Sequence, residues 1–359
     1  MSVRTFAAVL FSIVVWSACS IPTRQAKKKE EPPKPAVPIG ATIEIKAPLG
    51  LPPVPTPADN PPTAETVALG RRLYYDPNFS VDNTISCASC HSPDAGFGDG
   101  KQFSDGVKGQ KGGRNAPSVF NTAYYTLQFW DGRAPSLEKQ AEGPVQNPIE
   151  MAHTLEDVVK KLSADASYKA DFEKAYGPGP ITYEKVEKAI ASFERTVVTG
   201  NSPFDRYQYG GDKKALSAAA IRGLAVFRDP KKGNCAVCHT IEEKYALFTD
   251  NKFHNLGVGA EDDKLKDAGR FEVTKVEADK GAFKTPSLRN IAQTGPYMHD
   301  GSLKTLKDVV DLYVGGGNSN PWRDKEIKSL EHLTRRERVD LVAFLESLTG
   351  EVPPNVGKP

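Results

Sequence analysis

Cys87-Ala88-Ser89-Cys90-His91 and Cys235-Ala236-Val237-Cys238-His239 decide the reading of this chain. Two cysteines separated by two residues, with a histidine directly after, have a specific chemical use. Each sulfur can add across a haem vinyl group, and the histidine then stands under the iron as proximal ligand. A zinc knuckle, a redox pair or a structural disulfide also uses Cys-x-x-Cys. Zinc wants paired ligands of this type at a common site, and a redox pair has no need of the trailing histidine. The motif is complete twice, so the expectation is two covalently bound haem c groups. Cys87, Cys90, Cys235 and Cys238 attach them, and His91 and His239 ligate the irons.

Working outward, four of the five cysteines are consumed by these motifs, and the fifth is Cys19. None remains for a disulfide or a thiol nucleophile. The 47 basic residues balance 45 acidic ones, which gives no pointer to nucleic acid. Residues 1–19 read as an export segment: Arg4, an apolar run from Phe6 to Trp16, then Ser17-Ala18-Cys19. The run is shorter than the ~20 residues of a membrane span. Small residues before a cysteine resemble a lipoprotein cleavage site, with Trp16 standing where leucine is usual. The expectation is a periplasmic protein attached to the membrane through lipid on Cys19; the competing reading is a plain soluble periplasmic product. Residues 20–58, with Lys27-Lys28-Lys29 and prolines at 32, 33, 35, 38, 53, 55 and 57, read as a stiff solvated linker. Within it, Ala41 to Leu51 has the composition to lie extended on a folded body.

An internal repeat follows. Ala68-Leu69-Gly70-Arg71-Arg72-Leu73 precedes the first haem motif, and Ile221-Arg222-Gly223-Leu224-Ala225-Val226 precedes the second in the same register. Each reads as an amphipathic helix whose glycine permits close approach of another helix. Each half also ends in a helix. The first starts near Thr182, with Tyr183, Val186, Ile190, Phe193 and Val197 on one face. The second opens with the capping box Thr334-x-x-Glu337 and is expected to bury Val339, Val342, Phe344 and Leu345. The predicted fold class is all-α: two tandem cytochrome c-type domains with long loops, at 59–209 and 210–350, joined near Asn201 to Asp212, with a tail at 351–359.

The stretch from Gly96 to Met151 carries further motifs: Gly113-Arg114-Asn115-Ala116-Pro117-Ser118, Gln128-Phe129-Trp130-Asp131-Gly132-Arg133 and Asn147-Pro148-Ile149-Glu150-Met151. In the second half, Thr285-Pro286-Ser287-Leu288-Arg289-Asn290 leads to Thr294-Gly295-Pro296-Tyr297-Met298-His299-Asp300-Gly301. Over residues 59–350 the chain resembles the bacterial di-haem cytochrome c peroxidase family and its MauG-like, methylamine-utilisation branch. The resemblance implies that Trp130 relays electrons or holes between the haems and that Glu150 is the distal acid–base for peroxide. It also implies that Gln140 and Pro144 line the distal pocket, and that Asn115 with the Thr294 and Pro296 carbonyls holds one Ca²⁺. Val107 stands where classical members place a releasable histidine, and residues 92–114 hold no His or Met. The first haem is therefore expected to be open without an activation step. For the second, Met298 is the only methionine in its half, whereas the resemblance points to Tyr313, fourteen residues beyond His299. His254 and His299 are expected near a haem edge, and His153 and His332 in solvent.

The function implied is reduction of hydrogen peroxide at the N-terminal haem. Electrons come through the C-terminal haem from a small c-type cytochrome, a cupredoxin or a partner protein. The alternatives are MauG-like oxidation of a partner protein's side chains and a purely electron-transferring di-haem cytochrome.

Overall fold

The computed structural model describes residues 1–2, 36–262 and 264–359. The body of the export segment, Cys19 and the lysine run lie outside the described residues. No helix among the described residues is long and apolar enough to cross a membrane.

In chain order the helices are α1 Ala64–Tyr74, α2 Cys87–Cys90, α3 Leu137–Gln146, α4 Leu155–Ala164, α5 Ala166–Tyr176, α6 Tyr183–Glu194, α7 Pro203–Gln208, α8 Ala218–Arg228, α9 Phe271–Thr274, α10 Leu306–Val314 and α11 Arg335–Glu346. Strands are two-residue pieces: β1 Phe253–His254 pairs antiparallel with β4 Phe283–Lys284, and β2 Ala260–Glu261 with β3 Lys264–Leu265. The rest is loop and short 3₁₀ turns, as the all-α reading expected.

Each half is built on a crossed pair of helices, α1 on α6 and α8 on α11. The glycines make the crossings possible. A Cβ at Gly70 would overlap the Ala189 carbonyl of α6, and one at Gly223 the Asp340 carbonyl of α11. The helix starts follow capping chemistry. Thr182 accepts from the Lys185 amide, and Thr334 and Glu337 form a reciprocal capping box.

Two apolar clusters result. The first joins Leu69, Leu73 and Tyr74 to Val186, Ile190 and Phe193, with Val197 just past the helix end. The second joins Leu224 and Phe227 to Leu341, Phe344 and Leu345, and takes in Phe204 of α7 and Phe248. The Phe227 and Phe344 rings meet at a tilt of 59° with their centres 4.9 Å apart. Each such buried side chain contributes about 1.5–3 kcal/mol, far more than any exposed ion pair on these helices.

Three expectations change. Val339 is 60% exposed and Val342 half-buried, while Leu341 takes the core position. Val339 is five residues before Phe344, which at about 100° per residue turns it well away from α8. His153 is buried rather than in solvent: its amide donates to the Val145 carbonyl at 2.9 Å and its Nδ1 accepts from the Thr154 amide at 3.0 Å. Within the stretch read as a solvated linker, Ala41 to Leu51 lies on the body as expected, and the docked chain also takes in residues before it, from Ala36. Ala36 joins the first core, the Ile39 amide bonds the Ala175 carbonyl, and the Gly50 carbonyl accepts from Arg289 at 2.6 Å. The tail also packs, with Val356 in the first core and its carbonyl accepting from the Tyr75 hydroxyl at 2.8 Å.

Candidate active site: two cavities and the tryptophan between them

Beside each Cys-x-x-Cys-His motif lies a cavity, of about 350 Å³ in the first half and about 400 Å³ in the second. Both fall within the usual range for cofactor pockets, about 300–1,000 Å³. Cys87, Cys90 and His91 line the first; Cys235, Cys238 and His239 line the second.

The four cysteines are unpaired. Burial pushes the Cys90 thiol up to about 11, the Cys235 thiol up to about 12 and the Cys87 thiol higher still. Burial of this kind disfavours the thiolate that a redox dithiol would use. Burial also lowers the pKa of both histidines, so both are neutral and able to ligate a metal. The His239 Nδ1 donates to the Phe248 carbonyl at 2.8 Å, a tautomer that leaves Nε2 for an iron. The His91 Nδ1 is buried without a hydrogen-bond partner. Sulfurs, neutral imidazoles and cavities fit covalent haem in both halves.

Glu150, Gln140 and Pro144 all line the first cavity, as does Trp130. Gln140 and Pro144 come from α3, and Glu150 from the turn that follows it. Burial raises the Glu150 carboxyl, opposed by Asn147, whose Nδ2 donates to Oε1 at 2.7 Å, and by the Arg133 charge. A carboxyl raised in this way holds its proton more readily than an ordinary one, which suits acid–base work. Val107 is buried behind this wall, and its amide donates to the Glu150 carbonyl at 2.9 Å. Glu194, which the sequence did not single out, also lines the first cavity; burial pushes its carboxyl up to about 8, and its Oε2 has no partner.

Trp130 lines both cavities. Its indole N–H donates to the Asn115 carbonyl at 2.9 Å, and its own carbonyl accepts from the Lys284 amide at 2.8 Å. The Asn115 amide in turn donates to the His299 carbonyl at 2.8 Å. Around these bonds the halves are stitched by charge. Arg114 binds Asp131 in its own half and Asp267 in the other, at 2.7 Å each, and Arg270 donates to the Asp131 and Gly132 carbonyls.

In the second cavity Tyr313 and Met298 both form part of the wall, as do Asn115, Thr294 and Pro296. Tyr313 is on α10, and burial followed by the two cysteines raises its phenol strongly. Met298 sits in the left-handed region at φ 73°. His299 is stacked on Phe283 with ring centres 3.6 Å apart, and burial lowers it to about 4. His254 lies between Asp250 (3.0 Å) and Asp324 (2.5 Å). The Cys238 sulfur and these carboxylates raise it to about 10. His332 is exposed at the rim.

Two residues escaped the sequence reading for different reasons. Glu194 sits one residue before Arg195, and a Glu-Arg pair at a helix end reads as a solvated one. Lys284 sits in a two-residue strand where no periodicity shows; it is buried with its ammonium 3.1 Å from the centre of the Tyr125 ring.

Comparison with known proteins agrees with this geometry. Residues 64–214 match the model of the di-haem cytochrome c peroxidase family, and residues 220–349 that of cytochrome c. The chain is 44% identical to the methylamine utilization protein MauG of Methylorubrum extorquens, over 83% of this chain and 82% of that one. It is 38% identical to the cytochrome c551 peroxidase of Pseudomonas aeruginosa, over 79% of each. Among solved structures, a MauG-like protein associated with microbial copper homeostasis superposes with a TM-score of 0.79 at 34% identity, covering 87% of this chain and 98% of that one. Two cavities with their haem-attachment residues, joined through Trp130, and these likenesses together establish that the chain belongs to the di-haem cytochrome c peroxidase family, as a peroxide-using oxidoreductase with two haem c groups.

Proposed function

We propose that the first cavity reduces hydrogen peroxide and that Glu150 is its acid–base. The observation that carries this is the meeting of Glu150, Gln140 and His91 in one cavity whose preceding loop, 92–114, offers no histidine or methionine. Haem c, when bound, supplies the redox equivalents and an open coordination position. Glu150, its Oε1 held by Asn147, takes the proton from incoming peroxide and returns it to the departing oxygen. Gln140 donates to or accepts from the same peroxide, and the wall of α3 restricts access by bulk water. Trp130, bonded at both its indole and its carbonyl, is fixed as the path between the cavities.

Tyr313 is the proposed sixth ligand of the second haem, in preference to Met298. A phenolate stabilises ferric and higher states, and axial ligands move haem potentials over ~0.8 V. The second reading, oxidation of a partner protein's side chains, is favoured by this tyrosine over an electron-fed peroxidase. Asn115, whose Nδ2 is tied to the Lys101 carbonyl at 2.8 Å, presents Oδ1. With the Thr294 and Pro296 carbonyls it makes an oxygen set suited to one Ca²⁺ completed by water. The donor is a small c-type cytochrome, a cupredoxin or a partner protein. The compartment is the periplasm, with lipid on Cys19; the mass of the mature N-terminus checks this, and an unlipidated start beyond Cys19 refutes it.

Electron paramagnetic resonance of the diferric protein as isolated tests the open site. A high-spin ferric component, together with peroxide turnover that needs no prior reduction, is expected. Two low-spin haems and strict dependence on reduction would sink the proposal.

A further inference from the structure

We propose that the Lys284 ammonium is the counter-ion of a propionate of the haem attached at Cys235 and Cys238. The inference rests on that cavity holding haem c, and it assigns a charge partner the protein alone does not provide. Lys284 is 6% exposed and lines the second cavity. No carboxylate lies within ion-pair distance of its Nζ among the described residues, and its one close polar contact is the face of Tyr125.

Taking an ammonium out of water is costly, and a cation–π contact returns only part of that cost. The balance requires either a neutral amine or an anion. Burial alone, with no opposing charge, lowers Lys284 to about 7 in the protein without cofactor. The other cations of this wall are either bonded already or exposed to solvent, and His254 is held between Asp250 and Asp324. Arg289 is bonded to both Asp205 oxygens and to the Gly50 and Ala246 carbonyls. Lys231, Lys232 and Lys328 are exposed at the mouth. Haem c brings two carboxylates, and a buried carboxylate needs a cation as much as Lys284 needs an anion. The pairing satisfies both, and it falls on the residue whose own backbone amide donates to the Trp130 carbonyl.

A cation beside the haem disfavours the ferric form and so raises the reduction potential. The measurement is spectroelectrochemical titration of the intact di-haem protein at pH 8, where a propionate is ionised. Lys284→Met should raise the oxidised-to-reduced ratio of the second haem at least tenfold at fixed applied potential, a fall of about 59 mV for a one-electron couple. Lys284→Arg should restore it, and the first haem should move less than threefold in either variant. A second-haem ratio unchanged within twofold in Lys284→Met overturns the proposal. So does an equal fall in Lys284→Arg, which would assign the effect to shape. If Lys284→Met fails to retain the second haem, retention in Lys284→Arg supports the pairing, because Arg keeps the positive charge that Met removes. Loss of that haem in both variants overturns it.

Discussion

Glu150 has one oxygen occupied by Asn147 and a carboxyl raised by burial. Both features set its pH response. A raised pKa means the base form is present only above the ordinary carboxylate range, so peroxide turnover should fall as pH drops through a value higher than about 4.3. Glu150→Gln should remove this acid limb and slow the peroxide reaction by about 10²–10⁴-fold with both haems attached. A loss below about fivefold in stopped-flow mixing excludes Glu150 from the step. Tyr313 and Met298 share one cavity wall, and their variants separate them. Tyr313→Phe should alter the low-spin spectrum of the second haem and Met298→Leu should leave it nearly unchanged; the reverse pattern assigns methionine. At this scale the sequence was legible wherever chemistry is carried by a contiguous motif, as at His91, His239 and the run ending in Glu150. It was silent at Glu194 and Lys284, charged residues buried at a helix end and in a two-residue strand, where charge reads as solvated and no periodicity shows.

The paired helices put the haem motifs where they are, and their crossings depend on two glycines. Gly70→Ala and Gly223→Ala each drive a methyl into the carbonyl of the opposing helix. Overpacking of this sort costs typically about 1–3 kcal/mol. Each variant should lower the denaturant midpoint by a corresponding amount, with little change in slope; unchanged midpoints would mean the helices slide apart without cost. The glycines and the Thr182 and Thr334 caps could be read directly, since each depends on local chemistry. The buried face of α11 could not be read from valine content. Leu341, Phe344, Leu345 and Leu348 share the seam, whereas Val339 faces water.

The molecule as a whole is held by segments that sequence reading placed outside the domains. The Val356 side chain fills the first core, Tyr75 bonds its carbonyl, and Arg71 donates to the Gly357 carbonyl at 2.6 Å. Removing residues 351–359 should therefore destabilise the first half, with a lower thermal midpoint at the His91 haem than at the His239 haem. Equal midpoints, unchanged from the full chain, would show the tail to be passive. Proline content marked 20–58 as a spacer, and the exception read within it, Ala41 to Leu51, contains the Gly50 carbonyl that binds Arg289 of the second half; the docking of Ala36 and Ile39 was not read. Composition reports what a segment can do alone and not which groove a fold will offer it.

That exchange bears on how such a chain can be divided. The strand of chain ahead of the first half finishes the second, and the strand behind the second half finishes the first. Duplicated in sequence, the two units are not interchangeable parts. Lifting out either one at its apparent borders would carry off a piece belonging to its neighbour, so neither half is expected to be complete when expressed alone.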